Sequence, residues 1–247
     1  MTAAAPRPDA AWLDNLPLNR LMAEVSLWSA DLGRLVEDIA RIEAEADILH
    51  IDVADGHFAP AMLYFPDLVA RVRSITSKPL HVHLMVADAI LEAQIVQFAE
   101  AGADLISVHA ENGNVIEALG LIRRLGLKAG LVLQLHTPVV EAAEHLGLIG
   151  VLTLLGTQMG IKGVGLDPSA ETRLGEATAL IAQAGHAHRI VLAADGGIRE
   201  TTVPGLRRAG AQTIVMGSLL FGAADLTARM AWVREMPGPA IALPAPV

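Results

Sequence analysis

The sequence contains no cysteine, and aromatic residues make up only 3% of its 247 positions. The absence of cysteine excludes disulfides, thiolate metal sites and cysteine nucleophiles, and it is typical of the reducing cytoplasm, where we expect this protein. Any metal ion must therefore be held by histidine and carboxylate side chains. The shortage of aromatic residues predicts a core built mainly from Ala, Leu, Val and Ile.

Basic residues are also in deficit, which limits the expected partners. Lys and Arg total 18 against 27 Asp and Glu, a formal net charge of −9. Because no dense cluster of Lys and Arg stands out from this acidic background, nucleic acid is not an expected partner. The longest nearly apolar run, residues 146–156, is shorter than the roughly 18 residues that a membrane-spanning helix needs. We therefore expect no nucleic-acid binding and no membrane association.

Composition divides the chain into three parts. With 53% hydrophobic and 18% charged residues, most of its length can bury a large core. Residues 1–20 contain Pro and Ala, lack the apolar stretch of a signal peptide and are predicted to form a loose arm. Residues 236–247 carry repeated prolines, which prevent a regular helix, and are predicted to form an extended tail. The folded domain is predicted to span residues 21–235.

The folded part alternates short runs of branched apolar residues with longer segments of helical period. This pattern is typical of an α/β fold in which crossover helices join parallel strands. Eight strand–helix pairs, with no dinucleotide-binding fingerprint after the first strand, favour a closed (β/α)8 TIM barrel over an open doubly wound sheet. The predicted strands are Met22–Trp28, Ile48–Ala54, Leu80–Val86, Leu105–Ala110, Ala129–Leu135, Val151–Leu155, Arg189–Asp195 and Thr213–Gly217.

Side chains that commonly bind metals gather near the carboxyl ends of three predicted strands, where barrels of this kind carry out their chemistry. His50 and Asp52 are two residues apart and therefore face the same side of their strand. His83 lies on the next strand, and Asp195 ends the seventh. A lone histidine on such a strand is more often a hydrogen-bonded core residue, and a lone aspartate at a strand end is as often a helix cap, but burying all four without a partner would be costly. The set predicts one divalent metal ion, Zn²⁺, Fe²⁺, Mn²⁺ or Co²⁺.

Glycines follow the last three predicted strands, where barrels commonly bind phosphate through backbone N–H groups and a helix N-terminus. Gly196 and Gly197 follow the seventh strand, and Gly217 and Ser218 come at the end of the eighth. The loop after the sixth strand, residues 156–165, adds glycines that let the backbone approach an anion. Tight turns use glycine pairs too, but this joint placement favours a phosphate-binding site.

Five short motifs cover almost the whole predicted barrel in order. They are SLWSAD (26–31), HIDVADGHFAP (50–60), HLMV (83–86), DGGI (195–198) and GS (217–218). Together they resemble the ribulose-phosphate 3-epimerase family, and the second motif is highly specific. The resemblance implies a phosphate-binding (β/α)8 barrel that inverts C3 of a phosphorylated ketose of the ribulose 5-phosphate/xylulose 5-phosphate type. Barrels of this kind often associate, and the apolar composition fits a homo-oligomer.

The resemblance also implies roles for individual residues. His50, Asp52, His83 and Asp195 would bind the metal ion. Asp52 and Asp195 would also exchange the C3 proton on opposite faces of the sugar, through a cis-enediolate that the metal stabilises as a Lewis acid. Ser26 would lie near the substrate, and Met85 would cover the site. With the glycine loops, the predicted substrate-binding set is Ser26, Met85, Gly160, Gly163, Gly196, Gly197, Gly217 and Ser218.

The chain departs from the family pattern at positions that affect substrate choice. Ala54 stands where the family has methionine, which would leave more room in the pocket. Lys162 replaces a glycine in the loop after the sixth strand, where it either contacts a phosphate or remains solvated. A tetrulose or hexulose phosphate, of the allulose 6-phosphate type, therefore stays open as the substrate.

Two other functions are disfavoured by the same motifs. A chain similar to hexulose-phosphate synthase would carry an Asp-x-Lys-x-x-Asp motif on the third strand. Residues 81–88 contain no lysine, which argues against that activity. A non-catalytic sugar-phosphate-binding protein would have no reason to keep two neighbouring buried aspartates without a metal ion. An enzyme, an isomerase that acts on a phosphorylated carbohydrate, is the function that we predict.

Overall fold

Eight parallel strands close on one another in the computed structural model, which describes residues 7–187 and 189–239. The eight are β1 (Met22–Ser26), β2 (Ile48–Asp55), β4 (Leu80–Met85), β5 (Leu105–His109), β6 (Lys128–Leu133), β7 (Val151–Leu155), β8 (Val191–Asp195) and β9 (Thr213–Met216), and a ninth, short strand, β3 (Met62–Leu63), lies outside the barrel. Strand β1 pairs in parallel with both β2 and β9, which closes the sheet. The (β/α)8 TIM barrel predicted from the sequence is confirmed.

Helices surround the barrel in the described part of the chain. They are α1 (Leu35–Ile42), α2 (Pro66–Arg73), α3 (Asp88–Ala101), α4 (Val115–Arg124), α5 (Ala170–Gln183), α6 (Val203–Arg208), α7 (Ser218–Phe221) and α8 (Leu226–Arg234). Between β6 and β7 the connection is a 3₁₀ helix, Val139–His145, which follows Pro138. Among the described helices, none has both the length and the apolar character that crossing a bilayer requires.

The predicted strand positions agree with the structure to within about two residues at every end, which is within the usual uncertainty of element boundaries. The largest differences, two residues each, come at the end of the first predicted strand, the end of the fifth and the start of the seventh. Trp28, the predicted end of the first strand, lies in a 3₁₀ turn, Leu27–Ser29. Strand β3 was not predicted. It pairs antiparallel with the end of β2 and is too short to show an alternating pattern.

Strand alternation separates a helix-facing core from the barrel interior. On β2, Leu49, Ile51 and Val53 belong to the main core cluster, which also includes buried side chains of the surrounding helices. The intervening residues His50 and Asp52 have the opposite parity and therefore face the interior. The lowest interior layer is apolar and includes Met22, Ile48, Leu105, Val151 and Val191. The polar residues of the barrel interior thus lie in the layers above this apolar one.

Part of the N-terminal arm closes the lower end of the barrel. Trp12 and Leu13 are buried and pack with the lowest interior layer. The loose arm predicted for residues 1–20 is therefore anchored at these two residues, because their large apolar side chains cover the barrel floor. Residues 1–6, and residues 240–247 of the predicted tail, lie outside the described residues. The division into arm, barrel (21–235) and tail (236–247) stays a prediction.

Trp12→Ala should lower the free energy of unfolding by about 3 kcal/mol, because it removes a large buried ring from the barrel floor. Chemical denaturation followed by circular dichroism measures this loss. Leu32→Ala is the matched control, since Leu32 is 64% exposed and its truncation should change stability by less than about 0.5 kcal/mol. Equal, small losses in both variants would show that the arm does not contribute to the core.

Candidate active site

The four predicted metal ligands meet at the upper end of the barrel interior. His50, Asp52, His83 and Asp195 each place one ligand atom so that all four lie within 4.8 Å of one another. His50 Nε2 lies 3.3 Å from Asp52 Oδ1, and His83 Nδ1 lies 3.4 Å from the same oxygen. His83 Nδ1 is also 3.9 Å from Asp195 Oδ2. The structure therefore brings together the four residues that the sequence pattern selected.

Strand register explains why these residues converge. Strands β2 and β4 pair with Asp52 directly opposite His83, and directly opposite residues on paired strands have neighbouring side chains. Ser26, at the end of β1, is opposite His50, and its hydroxyl donates a 2.9 Å hydrogen bond to Asp52 Oδ2. Asp195 ends β8 and enters the cluster across the barrel. The site is thus built on strands, which hold side chains more rigidly than loops do.

Two buried nitrogen atoms indicate that the cluster fits a cation. His50 Nε2 and His83 Nδ1 have no hydrogen-bond partner among the described residues. A buried polar atom without a partner costs free energy, yet both atoms lie beside the same Asp52 oxygen. Two imidazoles and two carboxylates form a donor set suited to Zn²⁺, Fe²⁺, Mn²⁺ or Co²⁺. The residues present therefore fit a divalent metal ion.

A second set of polar residues supports the two histidines from behind. Glu24 Oε2 lies 3.0 Å from His50 Nδ1. On the other side, His83 Nε2 is 2.9 Å from His109 Nε2, and His109 Nδ1 is 3.0 Å from Glu111 Oε2. In each of the two predicted histidine ligands, the ring nitrogen on the far side from Asp52 is thus connected to a glutamate, directly for His50 and through His109 for His83. The sequence analysis missed this layer, although Glu24 has the same strand parity as Ser26.

The two aspartates have opposite pKa shifts. Burial, together with the nearby charge of Asp52, raises the pKa of Asp195 to about 6. Burial also opposes ionisation of Asp52, but the nearby imidazoles of His50 and His83 outweigh it, and the pKa of Asp52 falls far below its ordinary value. Asp52 is therefore an ionised carboxylate, whereas Asp195 accepts a proton much more readily. Two carboxyl groups whose pKa values are pushed apart are the arrangement that acid–base chemistry uses.

A cavity of about 250 Å³ opens above the cluster. Asp52, His83 and Asp195 form part of its lining, and so do two cationic residues, Lys162 and Arg199. His50 is fully buried and does not line the cavity. The cavity is therefore lined by both acidic and basic side chains. All of the predicted substrate-binding residues line it, namely Ser26, Met85, Gly160, Gly163, Gly196, Gly197, Gly217 and Ser218.

The glycine loops close tightly around one side of this cavity. Gly197, after β8, has a positive φ of 70°, and a Cβ there would lie 2.7 Å from Leu166 Cα. A Cβ on Gly217, at the end of β9, would collide with the Ser29 hydroxyl. Only glycine permits these close approaches. Backbone of the loops after β7 and β8 therefore packs together beside the cavity, and the Ser29 side chain packs against the backbone after β9.

Lys162 links two loops across the cavity. Its ammonium Nζ donates a 2.7 Å hydrogen bond to the Trp28 carbonyl oxygen. The same nitrogen lies 5.7 Å from the centroid of the Trp28 ring, a distance at which a cation is attracted to an aromatic face. Lys162 thus joins the loop after β7 to the turn after β1. From the sequence, this lysine could either contact a phosphate or be solvated. The structure adds a contact with Trp28.

Met159 packs beside Ala54. Ala54, Ala59 and Met85 form a small buried apolar cluster, and Met159 from the loop after β7 packs against it. Met159 also lines the cavity, whereas Ala54 does not. The small side chain at position 54 therefore does not by itself enlarge the cavity, because a methionine from another loop lies in this region.

Ala54→Met should lower the free energy of unfolding by about 1 to 3 kcal/mol, since it overpacks a cluster that already contains Met159. Combining it with Met159→Ala should recover part of that loss. A double-mutant cycle of unfolding free energies measures the coupling between the two positions. Strictly additive effects would contradict the idea that the two side chains compete for one space.

Comparison with known proteins gives the class of the barrel and then its family. The sequence model described as the Ribulose-phosphate 3 epimerase family matches residues 22–221. Ribulose-phosphate 3-epimerase 1 of Cupriavidus necator is 38% identical over 204 residues, 81% of this chain and 84% of that protein. Ribulose-phosphate 3-epimerase of Bacillus subtilis is 35% identical over 212 residues, 85% of this chain and 96% of that protein. The chain is an isomerase-class enzyme. It belongs to the ribulose-phosphate 3-epimerase family.

Solved structures resemble the barrel at lower sequence identity. The 3-hexulose-6-phosphate synthase from Salmonella typhimurium superposes with a TM-score of 0.63 and 14% identity, covering 86% of this chain and 96% of that one. At this identity the similarity supports the fold alone. It agrees with the strand order and closure described above.

Proposed function

We propose that the protein interconverts two ketose phosphates that differ in configuration at C3, ribulose 5-phosphate and xylulose 5-phosphate. The observation that carries this proposal is the pair of aspartates, the buried Asp52 and the half-buried Asp195, with opposite pKa shifts beside one cavity. The names of the relatives support the substrate, since those proteins are called ribulose-phosphate 3-epimerases. The cytoplasmic location and the homo-oligomer stay predictions.

The reaction needs two proton-transfer groups. Inverting a carbon beside a ketone requires one group to remove its proton and another to return a proton to the opposite face. In one direction Asp52, the ionised carboxylate, takes the C3 proton, and Asp195, the group with the raised pKa, delivers one. In the reverse direction the two exchange roles. The Ser26 hydroxyl holds Asp52 Oδ2 and thereby fixes the orientation of that carboxylate.

The metal-binding set of this proposal is His50, Asp52, His83 and Asp195. A divalent metal ion held there would supply Lewis-acid stabilisation of negative charge on substrate oxygens. The protein contributes the rest of the environment. Met85 and Met159 give the cavity an apolar wall, which excludes water and strengthens electrostatic interactions within the site.

The phosphate is assigned to the side of the cavity formed by the glycine loops. Gly196, Gly197, Gly217 and Ser218 lie there, and Lys162 and Arg199 supply positive charge. Gly160 and Gly163, both with positive φ, shape the loop that carries Lys162. An acidic cluster and a basic margin match a substrate with a polar carbon skeleton and an anionic end. Because Met159 packs beside Ala54, the structure favours a pentulose over a longer ketose.

Deuterium exchange tests the proposal directly. Purified protein supplied with Zn²⁺, Mn²⁺ or Co²⁺ is incubated in deuterated water with four-, five- and six-carbon ketose phosphates, and the C3 proton is followed by NMR. We expect loss of the C3 proton of ribulose 5-phosphate and appearance of xylulose 5-phosphate. Exchange confined to a tetrulose or hexulose phosphate would overturn the substrate assignment. Binding without exchange would overturn catalysis in favour of a sugar-phosphate sensor.

A further inference from the structure

Glu24 is a fully buried carboxylate in the barrel layer directly below the proposed metal site. It lies on β1, and its Oε2 atom is 3.0 Å from His50 Nδ1 and 2.6 Å from His81 Nδ1. Neither proton transfer nor metal ligation in the proposed reaction uses it. A buried carboxylate is costly unless it is paired and hydrogen-bonded, so two imidazoles converging on one oxygen call for a functional explanation.

The hydrogen bond from His50 fixes which of its nitrogens is free. An ionised carboxylate only accepts hydrogen bonds, so His50 Nδ1 must carry the proton that points at Glu24. In a neutral imidazole, Nε2 is then bare and presents its lone pair. His50 Nε2 is the atom that has no hydrogen-bond partner among the described residues and lies 3.3 Å from Asp52 Oδ1. The contact with Glu24 therefore selects the tautomer that a metal ion requires.

His81 and Ser107 hold Glu24 in place from the opposite side. His81 lies on β4 and is fully buried. Its Nδ1–H donates to Glu24, and its Nε2, 2.6 Å from Ser107 Oγ, accepts from the hydroxyl. The ring of His81 packs edge-on against that of His50, with centroids 4.7 Å apart. Glu24 is thus fixed before any ligand arrives.

The same contacts exclude a second metal ion as the reason for this layer. Glu24, His50 and His81 lie close enough together to suggest a metal cluster. However, the Nδ1 atoms of both histidines are already committed to Glu24 Oε2, and His81 Nε2 is committed to Ser107. Among the described residues only Glu24 Oε1 of this carboxylate has no hydrogen-bond partner, so the three residues do not offer three free ligands.

We propose that Glu24 is a positioning residue of the metal site, which holds His50 in the Nδ1–H tautomer and directs its Nε2 atom towards the metal ion. The inference rests on the proposed metal site. Outer-shell carboxylates of this kind orient histidine ligands and increase their basicity. The role of Glu24 is distinct from that of Asp52, because Glu24 touches neither substrate nor metal.

Metal affinity, not activity, is the main readout. Glu24→Gln should weaken Co²⁺ binding by about 10- to 100-fold, measured by competition with a chromogenic chelator, and should change the visible absorption spectrum of bound Co²⁺. Asp104→Asn is the matched control: it also converts a buried carboxylate to an amide, but Asp104 pairs with Arg73 instead of a predicted ligand. We expect Asp104→Asn to leave Co²⁺ affinity unchanged even if it lowers stability.

A measurement on the unaltered chain keeps the proposal testable if the variant does not fold. Long-range ¹H–¹⁵N spectra of histidine side chains in the Zn²⁺-bound protein should show His50 protonated at Nδ1 and bound to the metal ion through Nε2. A proton on His50 Nε2 in the Zn²⁺-bound protein, or wild-type Co²⁺ affinity in folded Glu24→Gln, would overturn the positioning role alone. Failure of the unaltered protein to bind Co²⁺ would instead overturn the metal site itself, and the role of Glu24 with it.

Discussion

Asp52→Asn is expected to reduce epimerisation by about 10³-fold or more while the barrel stays folded. The amide has the shape of the carboxylate and can still accept the Ser26 hydroxyl, which donates to Asp52 Oδ2 in the structure. It cannot accept the C3 proton. Turnover in both directions should therefore fail, because each direction needs Asp52 once, as the base or as the acid.

Isotope exchange separates proton transfer from other effects of this variant. With Asp195 intact, C3 exchange with deuterated water should continue from the epimer whose proton faces Asp195 and stop from the other. Ser26→Ala is the control, since it removes the hydrogen bond to Asp52 but keeps the carboxylate, and its loss of turnover should be much smaller. Near-normal turnover of Asp52→Asn at equal metal content would refute the acid–base assignment. Loss of exchange from both epimers together with loss of metal would show that Asp52 acts as a metal ligand and not as an acid–base group.

The part of the site that lies on strands could be predicted from the sequence, because strand geometry is periodic. A two-residue spacing sends His50 and Asp52 to one face, and the apolar residues Ile51 and Val53 identify the other face as the helix side. Once eight strands close into a barrel, the first face can only be the interior. His83 follows from the same rule on the neighbouring strand.

Depth inside the barrel was not predictable in the same way. Alternation indicates that Glu24 faces inward with Ser26, but it does not show that His81, which is 57 residues away, meets the same carboxylate oxygen. That contact depends on the stagger between β1, β2 and β4, which sets the layer that each residue occupies. A charged residue in an apolar strand was the available signal.

Residues on loops escaped prediction for a different reason. Met159 and Lys162 lie in the loop after β7, where no repeating pattern relates sequence position to direction. From the sequence, Lys162 could equally contact a phosphate or be solvated, and its hydrogen bond to the Trp28 carbonyl oxygen was not predictable. Trp12 also lies outside any strand or helix period, so its packing against the barrel floor appears only in three dimensions.

The layers of the barrel interior explain how two neighbouring aspartates can have different proton affinities. The apolar floor excludes water from below, and the Glu24 layer above it satisfies the far side of His50 without exposing it. The cluster that contains Asp52 therefore sits in a low-dielectric setting, where the charges of neighbouring groups shift pKa values strongly. This setting separates the proton affinities of Asp52 and Asp195, two residues of the same type.

Asp195→Asn is expected to remove turnover to a similar extent as Asp52→Asn, about 10³-fold, but with the opposite exchange pattern. Burial and the charge of Asp52 raise the pKa of Asp195 to about 6, so Asp195 can both release and recover a proton near neutral pH. The amide can do neither, so no group remains to deliver a proton to C3 on the face of the sugar that Asp195 occupies.

The complementary patterns of the two variants are the decisive result. Asp195→Asn should still exchange C3 of the epimer that faces Asp52, which is the epimer that Asp52→Asn leaves unexchanged, and the double variant should exchange neither. NMR of each purified epimer in deuterated water, at matched metal content, measures this directly. If both single variants exchanged the same epimer, a single base would serve both faces and the two-carboxylate mechanism would be wrong. If the patterns are complementary, each aspartate acts on its own face of the sugar, as the cluster across β2 and β8 requires.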